Sequence, residues 1–167
     1  SAIGNFDGVH RGHQEVIGRV LDRARGLGMQ AIAVTFDPHP LAVLHPDRAP
    51  KLITPMPQRL RLLAETGLDA TVVLPFTRTF SMQSAREFAE GVLCRAVRVV
   101  EVHEGDTFRF GHDSAAGIAE LRELGLELGG GGGAQGALLV RGLPVSSSEV
   151  RRGIAAGQLS MARALLG

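Results

Sequence analysis

The sequence contains no tryptophan, no tyrosine and almost no cysteine. Cys94 is the single cysteine among 167 residues, which excludes an internal disulfide and a cysteine-based zinc site and fits a reducing cytoplasm. No apolar run approaches the ~20 residues of a membrane span, and no signal peptide opens the chain. The formal net charge is only +1, so bulk electrostatics favour neither a nucleic acid nor a membrane as partner. We therefore expect a soluble cytoplasmic protein.

The remaining composition is that of an ordinary globular domain. Hydrophobic residues make up 44% and charged residues 21%, which argues against wholesale disorder. A chain of 167 residues fits one domain of roughly 150 residues and can bury about 70% of its unfolded surface. Residues 1–4 read as the tail of a strand and no methionine precedes them, so we expect part of an N-terminal strand to be missing upstream.

Helical and strand-like segments alternate along the chain. The predicted helices span residues 13–25, 54–66, 84–95, 115–124 and 160–166, with a further helix starting near Glu149. The predicted strands span residues 31–36, 70–74, 97–102 and 137–140. Residues 41–53 and 103–111 read as loops, and the five consecutive glycines at 129–133 read as a flexible run that makes a poor strand.

This alternation predicts the fold class. Strands separated by helices at these spacings indicate right-handed βαβ crossovers and a parallel sheet. The prediction is an α/β fold of the Rossmann-like type, with three α/β/α layers around a mostly parallel sheet. Ligands of such folds bind at the carboxyl ends of the strands, so the functional residues are expected there.

Residues 4–13 join the first predicted strand to the first predicted helix. Backbone amides at a helix N-terminus, together with the helix dipole, favour a phosphate. Gly4, Gly8 and Gly12 allow tight turns, and His10 and His13 can project to one side of the first helical turn. Two imidazoles and several amides can neutralise the charge that develops when a nucleoside triphosphate is attacked at its α-phosphorus. The alternative interpretation is two surface histidines at a helix start.

The same stretch resembles a known family. Residues 10–13 read His-Arg-Gly-His and resemble the HxGH signature of the nucleotidylyltransferase superfamily. The whole string from 4 to 13 is similar to the bacterial bifunctional riboflavin kinase/FMN adenylyltransferases, the prokaryotic FAD synthetases. Further stretches that resemble this family follow in the same order, at residues 35–40, 74–77, 84–93, 108–111 and 144–151. The resemblance covers residues 1–167 as the adenylyltransferase domain, and we expect the riboflavin kinase domain to lie outside them, in a longer parent chain.

The resemblance implies a reaction and a set of site residues. The reaction is in-line transfer of AMP from ATP to FMN, which gives FAD and pyrophosphate without a covalent intermediate, with Mg²⁺ carried by the ATP phosphates and no metal site in the protein. The implied catalytic residues are Asn5, His10, His13 and Arg151. The implied ATP and phosphate contacts are Gly4, Phe6, Asp7, Gly8, Gly12, Gly105, Thr107, Ser146, Ser147 and Ser148. The implied FMN contacts are Asp37, Pro38, His39, Phe108 and Arg109.

Structural interpretations of these residues stay open. The serines at 146–148 could be a plain helix cap, residues 37–40 a rigid turn, Phe108 a core residue and Arg109 a solvated charge.

Several positions depart from the family pattern. Thr107 stands where the family has Asp or Asn, with Asp106 one place early, and Ser148 replaces a Thr. The glycine run replaces a β-branched strand, and Glu101 and Glu104 interrupt an otherwise apolar strand, where burial without a partner would raise the pKa of a carboxyl or destabilise the fold. Two alternatives therefore accompany the FMN adenylyltransferase reading. One is a catalytically weak paralog that binds ATP or a flavin, and the other is a different HxGH nucleotidylyltransferase.

Overall fold

A computed structural model describes residues 1–105, 108–129, 131–135, 139–140 and 143–167. The helices are α1 Arg11–Leu27, α2 Pro40–Leu44, α3 Met56–Glu65, α4 Arg78–Ser81, α5 Ala85–Phe88, α6 Ile118–Leu128, α7 Ser147–Ala155 and α8 Leu159–Leu166. The strands are β1 Ala2–Ile3, β2 Ile32–Asp37, β3 Ala70–Pro75, β4 Glu101–Gly105, β5 Gly131–Gln135, β6 Leu139–Val140 and β7 Leu143–Pro144. A π-helical segment, Ala89–Ala96, continues α5, and 3₁₀ turns span Pro46–Arg48 and His112–Ser114. None of the helices in these ranges is long and apolar enough to cross a membrane.

Strands β1 to β5 run parallel, and their order reverses beside β1. Strands β1, β2 and β3 are neighbours in that order, with Ala2 opposite Ala33, and β4 pairs with β5 in parallel. β4 lies on the other side of β1, because the amide of His103 donates to the carbonyl of Ser1 at 2.8 Å. The spatial order is therefore β3-β2-β1-β4-β5, and the point where the order reverses lies between β1 and β4. The predicted α/β class with a parallel sheet is confirmed.

Helices cover both faces of this sheet. Alternate residues of each strand point to opposite sides, so each face offers apolar side chains for a helix to pack on. On one face, a buried cluster from α1, α3 and the strands contains Ala2, Ile17, Val20, Leu21, Ala33 and Leu63. On the other face, a cluster from α5, its π-helical continuation, α6 and the strands contains Ile3, Val34, Phe88, Leu93, Val102 and Leu124. The predicted three layers are present.

Helix α1 follows directly on the loop that leaves β1. The ring Nδ1 of His10 caps the helix by accepting the amide hydrogen of His13 at 3.3 Å. Gly28 ends it at φ 64, a left-handed conformation in which its N–H donates to the carbonyls of Ala24 and Arg25. The predicted helix over 13–25 is present and longer at both ends.

Three predicted segments were wrong in part. Residues 103–105, the start of the loop predicted over 103–111, are the last three residues of β4. Residues 41–53 were predicted to be a loop, but α2 forms there because the ring Nδ1 of His39 accepts the amide hydrogen of Leu41. The strand predicted over 97–102 begins only at Glu101, since the π-helical segment runs to Ala96 and Arg98 adopts φ 58, which lies outside the strand region.

The glycine run was also predicted wrongly. Residues 131–135 form β5 and pair along the whole length of β4, because the ladder uses backbone N–H and C=O groups that glycine also carries. The strand predicted over 137–140 is present as β6, which pairs antiparallel with β7, and residues 137–138 lie outside the described residues.

The two glutamates of β4 have different surroundings. Glu101 lies beside α1, where Arg23 donates to both its carboxylate oxygens at 2.8 and 2.7 Å, and these bonds lower the pKa of Glu101 to about 2. Glu104 is 6% exposed, and its Oε1 accepts the amide hydrogen of Ile3. Burial raises the pKa of Glu104 well above its usual value, since a single amide does not offset the loss of hydration.

Replacing Glu104 by Gln should stabilise the protein at alkaline pH. The amide keeps an oxygen for the N–H of Ile3 but has no proton to lose. A carboxyl whose pKa is higher in the folded chain destabilises the fold as the pH rises above its unfolded value of 4.5. At pH 8 we expect the free energy of unfolding of Glu104→Gln to exceed that of the parent chain by about 1 kcal/mol or more. Near pH 4 the two free energies of unfolding should be equal. Urea unfolding at both pH values measures this, and a pH-independent difference would contradict it.

Candidate functional site

The loop between β1 and α1 has a strained backbone. Phe6 and Val9 adopt φ 48 and 40, in the left-handed region that is rare for side chains of this bulk, and Gly8 adopts φ 85. A Cβ on Gly8 would also lie 3.1 Å from the side chain of Ile53, so a larger residue there would crowd that side chain. Phe6 and Val9 are 2% and 3% exposed, so burial of their side chains holds the loop in this shape.

His10 and His13 lie face to face at the end of this loop. Their ring centroids are 3.5 Å apart and their planes differ by 17°. Because Nδ1 of His10 accepts the amide hydrogen of His13, the neutral His10 ring carries its proton on Nε2. The edge of the Phe6 ring packs on His13 at 5.1 Å. The His10 ring therefore presents an N–H donor at Nε2, and the two rings lie together at the start of α1.

Burial keeps both rings neutral. It lowers the pKa of His10 to about 4, and the nearby Arg151 guanidinium acts in the same direction. It also lowers the pKa of His13 well below its usual value, with contributions from His10 and from Arg59. Burial also lowers the pKa of His39, at the start of α2. At neutral pH and without a ligand, His10 and His13 are hydrogen-bonding groups and not cations.

Two buried polar atoms of this cluster have no hydrogen-bond partner within the described residues. They are Oδ1 of Asn5 and Nδ1 of His13. Most buried polar atoms in proteins are satisfied, so an unsatisfied atom calls for an explanation such as a ligand or an ordered water. Both atoms lie where β1 ends and α1 begins, the place expected to bind a ligand.

The carboxylate of Asp7 anchors the same loop to more distant parts of the chain. Its Oδ1 accepts the amide hydrogen of Thr54 at 2.9 Å, and its Oδ2 accepts that of Ile53 at 3.0 Å and an N–H of Arg151 at 2.5 Å. Burial opposes ionisation of Asp7, but these amides and the guanidinium outweigh it and lower its pKa. Both oxygens of Asp7 therefore bind protein donors, and Asp7 acts on the site by holding the loop.

The start of α7 lies against this loop. Ser146 caps the helix by accepting the amide hydrogen of Glu149 at 3.2 Å, and the hydroxyl of Ser147 donates to the carbonyl of Asp7 at 2.9 Å. Nε of Arg151 donates to the carbonyl of Lys51 at 2.9 Å, and Ser148 is exposed. The N-termini of α1 and α7 thus converge, and both offer amides to an anion.

The residues assigned to FMN follow β2 and β4, the two neighbours of β1. Asp37 ends β2 and forms a cis peptide bond with Pro38, and His39 caps α2. Phe108 is half-buried and stacks on Phe110 at 5.5 Å. Since the carboxyl ends of parallel strands share one edge of the sheet, both groups lie on the side where the histidines are.

Arg109, which was assigned to FMN, lies at the surface. Its Nη1 donates to the carbonyl of Phe108 at 2.9 Å, and a Cβ on Gly117 would lie 2.6 Å from that nitrogen. Gly105 is the last residue of β4, and Thr107 and Asp106 lie outside the described residues.

Sequence analysis missed two residues of the site, Thr54 and Arg59. The Thr54 hydroxyl accepts the amide hydrogen of Gly8 at 3.0 Å, and Nη2 of Arg59 donates to Asp7 at 3.3 Å. Arg59 lies four residues before the buried Leu63 on α3, so it occupies the apolar face of that helix. A charged residue at a core position was the signal that could have found it.

Within the ranges that the structure describes, no group of three His, Cys, Asp or Glu side chains is placed to hold a metal ion.

Comparison with known proteins shows similarity across the whole chain. A family model described as FAD synthetase matches residues 1–149. Bifunctional riboflavin kinase/FMN adenylyltransferases are similar as well. The protein from Escherichia coli (strain K12) is 34% identical over 165 residues, covering 99% of this chain and 53% of its own. The one from Pseudomonas fluorescens is 35% identical over 167 residues, covering 100% and 53%. The chain spans about half the length of these relatives.

A solved structure shows the same fold. The crystal structure of a protein from Streptococcus pneumoniae, described as a macrolide-efflux protein, superposes with a TM-score of 0.88 at 26% sequence identity. The superposition covers 99% of this chain and 55% of that protein.

Two glycines of α1 provide a matched test of how tightly the His10 ring is packed. A Cβ on Gly12 would lie 3.2 Å from Nδ1 of His10 and 3.3 Å from the carbonyl of Val145, whereas nothing lies within 4 Å of a Cβ on Gly18. Alanine in place of a helical glycine stabilises by about 0.5–1 kcal/mol where space allows. We expect that gain in urea unfolding of Gly18→Ala, and a smaller gain or a loss with Gly12→Ala. Equal gains in both variants would contradict the packing.

The ring signals of His10 and His13 should not titrate in the physiological range. Burial holds the pKa of His10 at about 4 and that of His13 well below its usual value. In NMR spectra of the ligand-free protein, we expect both rings to keep their chemical shifts between pH 8 and pH 5.5. In urea the same rings should titrate near ~6.5. A midpoint near that value for either ring in the folded protein would contradict the prediction.

Proposed function

The chain belongs to the FAD synthetase family, and on that premise we propose that residues 1–167 form an FMN adenylyltransferase domain. It transfers AMP from ATP to FMN and releases FAD and pyrophosphate. One observation supports this most directly. The stacked histidines and the unpartnered Oδ1 of Asn5 and Nδ1 of His13 lie at the end of β1, between two converging helix N-termini.

The reaction on this proposal is a single displacement. An oxygen of the FMN phosphate attacks the α-phosphorus of ATP, a new P–O bond forms, and the bond to the β-phosphate breaks, so that pyrophosphate leaves with its electron pair. Such transfers need positioning and charge stabilisation more than covalent chemistry. The donors available for them are Nε2–H of His10, the guanidinium of Arg151 and the amides at the starts of α1 and α7.

The neutral state of the histidines supports a role that depends on the substrate. A bound triphosphate brings negative charge next to His10 and His13, and a nearby anion favours the protonated form of an imidazole. On this proposal, positive charge develops on the rings when ATP arrives, and it stabilises the charge of the transition state.

Mg²⁺ enters on this proposal as the ATP complex. Its ligands would be phosphate oxygens, because both oxygens of Asp7, the carboxylate of the loop, accept hydrogen bonds from protein donors. When bound, Mg²⁺ would offset the charge of the triphosphate.

The other assignments are proposals of the same kind. ATP and its phosphates would lie against the loop, the end of β4 and the start of α7, at Gly4, Phe6, Asp7, Gly8, Gly12, Gly105, Thr107, Ser146, Ser147 and Ser148. Of these, Phe6 and Asp7 are buried, so they would act by shaping the loop. FMN would lie against Asp37, Pro38, His39, Phe108 and Arg109. The kinase activity that the relatives' names include would belong to the half of those proteins that this chain does not cover.

The alternative of a weak paralog has lost one of its two grounds. The glycine run forms a paired strand and does not interrupt the sheet. The other ground, Thr107, lies outside the described residues. The alternative of a different HxGH transferase concerns the acceptor, which a direct assay distinguishes.

FAD formation tests the proposal. The purified chain is incubated with FMN, ATP and Mg²⁺, and FAD and pyrophosphate are measured. We expect FAD from the native chain and a loss of at least ~100-fold in kcat/KM with His10→Ala or His13→Ala, because each removes a donor to the developing charge. His45→Ala is the matched control: its ring is exposed and outside the site, so activity should stay within about twofold.

The possible results separate the readings. Binding of ATP or FMN without FAD formation would favour the weak paralog. Pyrophosphate release with another phosphate acceptor but not with FMN would favour a different HxGH transferase.

A further inference from the structure

Arg59 is an unusual residue for the inside of a protein. Its side chain is 2% exposed, and it ranks first by volume among the fully buried side chains of the described residues. Its Nη2 donates to Oδ1 of Asp7 at 3.3 Å and to the carbonyl of Thr54 at 3.0 Å. Its Nε has no hydrogen-bond partner in the part of the chain that the structure describes. A buried guanidinium with an unsatisfied N–H carries a desolvation cost.

Stability alone does not account for this residue. The 3.3 Å contact with Asp7 is longer than the ~2.7–2.9 Å of a strong charge-assisted bond. Thr54 already ties α3 to the loop through its amide and its hydroxyl. Apolar residues that replace a buried ion pair are often as stable or more so. A role in the neighbouring site fits the position of Arg59 better.

The contacts of Asp7 connect Arg59 to that site. Oδ1 faces α3, where it accepts bonds from Thr54 and Arg59, whereas Oδ2 reaches Nη2 of Arg151 at 2.5 Å. Two guanidinium groups therefore share one carboxylate. If Asp7 faced Arg151 alone, its negative charge would cancel that of Arg151 at short range.

The two cations differ in where they lie. Asp7 is 1% and Arg59 2% exposed, whereas Arg151 is 22% exposed, on α7 beside the loop. Asp7, Arg59 and Arg151 together carry a net charge of +1, with Asp37 as a further acidic neighbour of Arg59. The exposed member of the three is Arg151. The Nε of Arg151 is fixed by the carbonyl of Lys51 at 2.9 Å. The surplus positive charge is thus held at the surface of the site, in a defined orientation.

We propose that Arg59 is a positioning residue for phosphate binding, which acts through Asp7 on Arg151. It binds Oδ1 and offsets the charge of the carboxylate, so that Oδ2 orients Arg151 while the charge of Arg151 stays available to the substrate phosphates. This inference rests on the proposed function, which gives Arg151 the triphosphate as ligand. Without Arg59, Asp7 and Arg151 form a neutral pair.

A double-mutant cycle tests this coupling. ATP affinity is measured by calorimetry for the native chain, Arg59→Met, Arg151→Met and the double variant. We expect Arg59→Met to weaken ATP binding about 10-fold in the native background and less than about twofold in the Arg151→Met background, because Arg59 acts through Arg151. Similar losses in both backgrounds would overturn the proposal, since a purely structural role is independent of Arg151.

Two further variants keep the result interpretable. Arg61→Met changes an exposed arginine of the same helix and should leave ATP affinity unchanged. Arg59→Lys keeps the positive charge but loses the planar guanidinium, so we expect it to recover most of the ATP affinity lost in Arg59→Met.

If Arg59→Met does not fold, the same cycle is run with Arg59→Lys. Its loss of ATP affinity, roughly threefold, must disappear in the Arg151→Met background. A loss that persists there overturns the proposal.

The kinetic readout separates this proposal from the proposed function. We expect Arg59→Met to raise the KM for ATP more than it lowers kcat, whereas a smaller folded fraction would lower kcat alone. A native chain that binds ATP and makes no FAD would contradict the proposed function, and the affinity cycle would still decide the role of Arg59. A native chain that makes FAD and shows additive losses would contradict only the role of Arg59.

Discussion

The carboxylate of Asp7 is the point on which the site depends. It accepts hydrogen bonds from the amides of Ile53 and Thr54 before α3 and from Arg59 within it, and from Arg151 on α7. Phe6 and Val9 on either side adopt a backbone conformation that costs about 1–3 kcal/mol each and persists only where the surroundings impose it. One buried anion thus supports a strained loop and joins three distant segments of the chain.

Electrostatics and helix ends act together at this site. The converging N-termini of α1 and α7 and the guanidinium of Arg151 make the region favourable for an anion. The same surroundings, together with burial, disfavour protonated histidines in the ligand-free protein. The region is positive through the helix ends and the Arg151 guanidinium, while His10 and His13 remain able to respond to the charge of a ligand.

Much of the fold could be predicted from local patterns, and the exceptions have physical reasons. The apolar spacing in α1 and the caps at its ends are local signals, so this helix was predicted well. The strand at 131–135 was missed because pairing with β4 decided its conformation, against the low strand propensity of glycine. The start of β4 was misplaced because the π-helical segment and the left-handed Arg98 leave no local signal in an apolar sequence.

The site was predicted in part for a similar reason. His10, His13 and Asn5 lie within one short motif, and the structure places them together at the end of β1. Arg59 and Thr54 are separated from Asp7 by 52 and 47 residues, so only the folded chain shows that they meet. From the sequence, Asp7 was predicted to contact ATP, whereas in the structure protein donors surround its carboxylate.

The contacts between Asp7 and α7 also order the events of folding. Ser147 and Arg151 are 140 and 144 residues from Asp7 along the chain, and we expect contacts of such long range to form late because closing long loops costs entropy. During synthesis, β1 through α6 leave the ribosome before α7 does, so the layered core can form while Asp7 still lacks its partners on α7. The loop around Asp7 thus gains all its contacts only after α7 has docked against it.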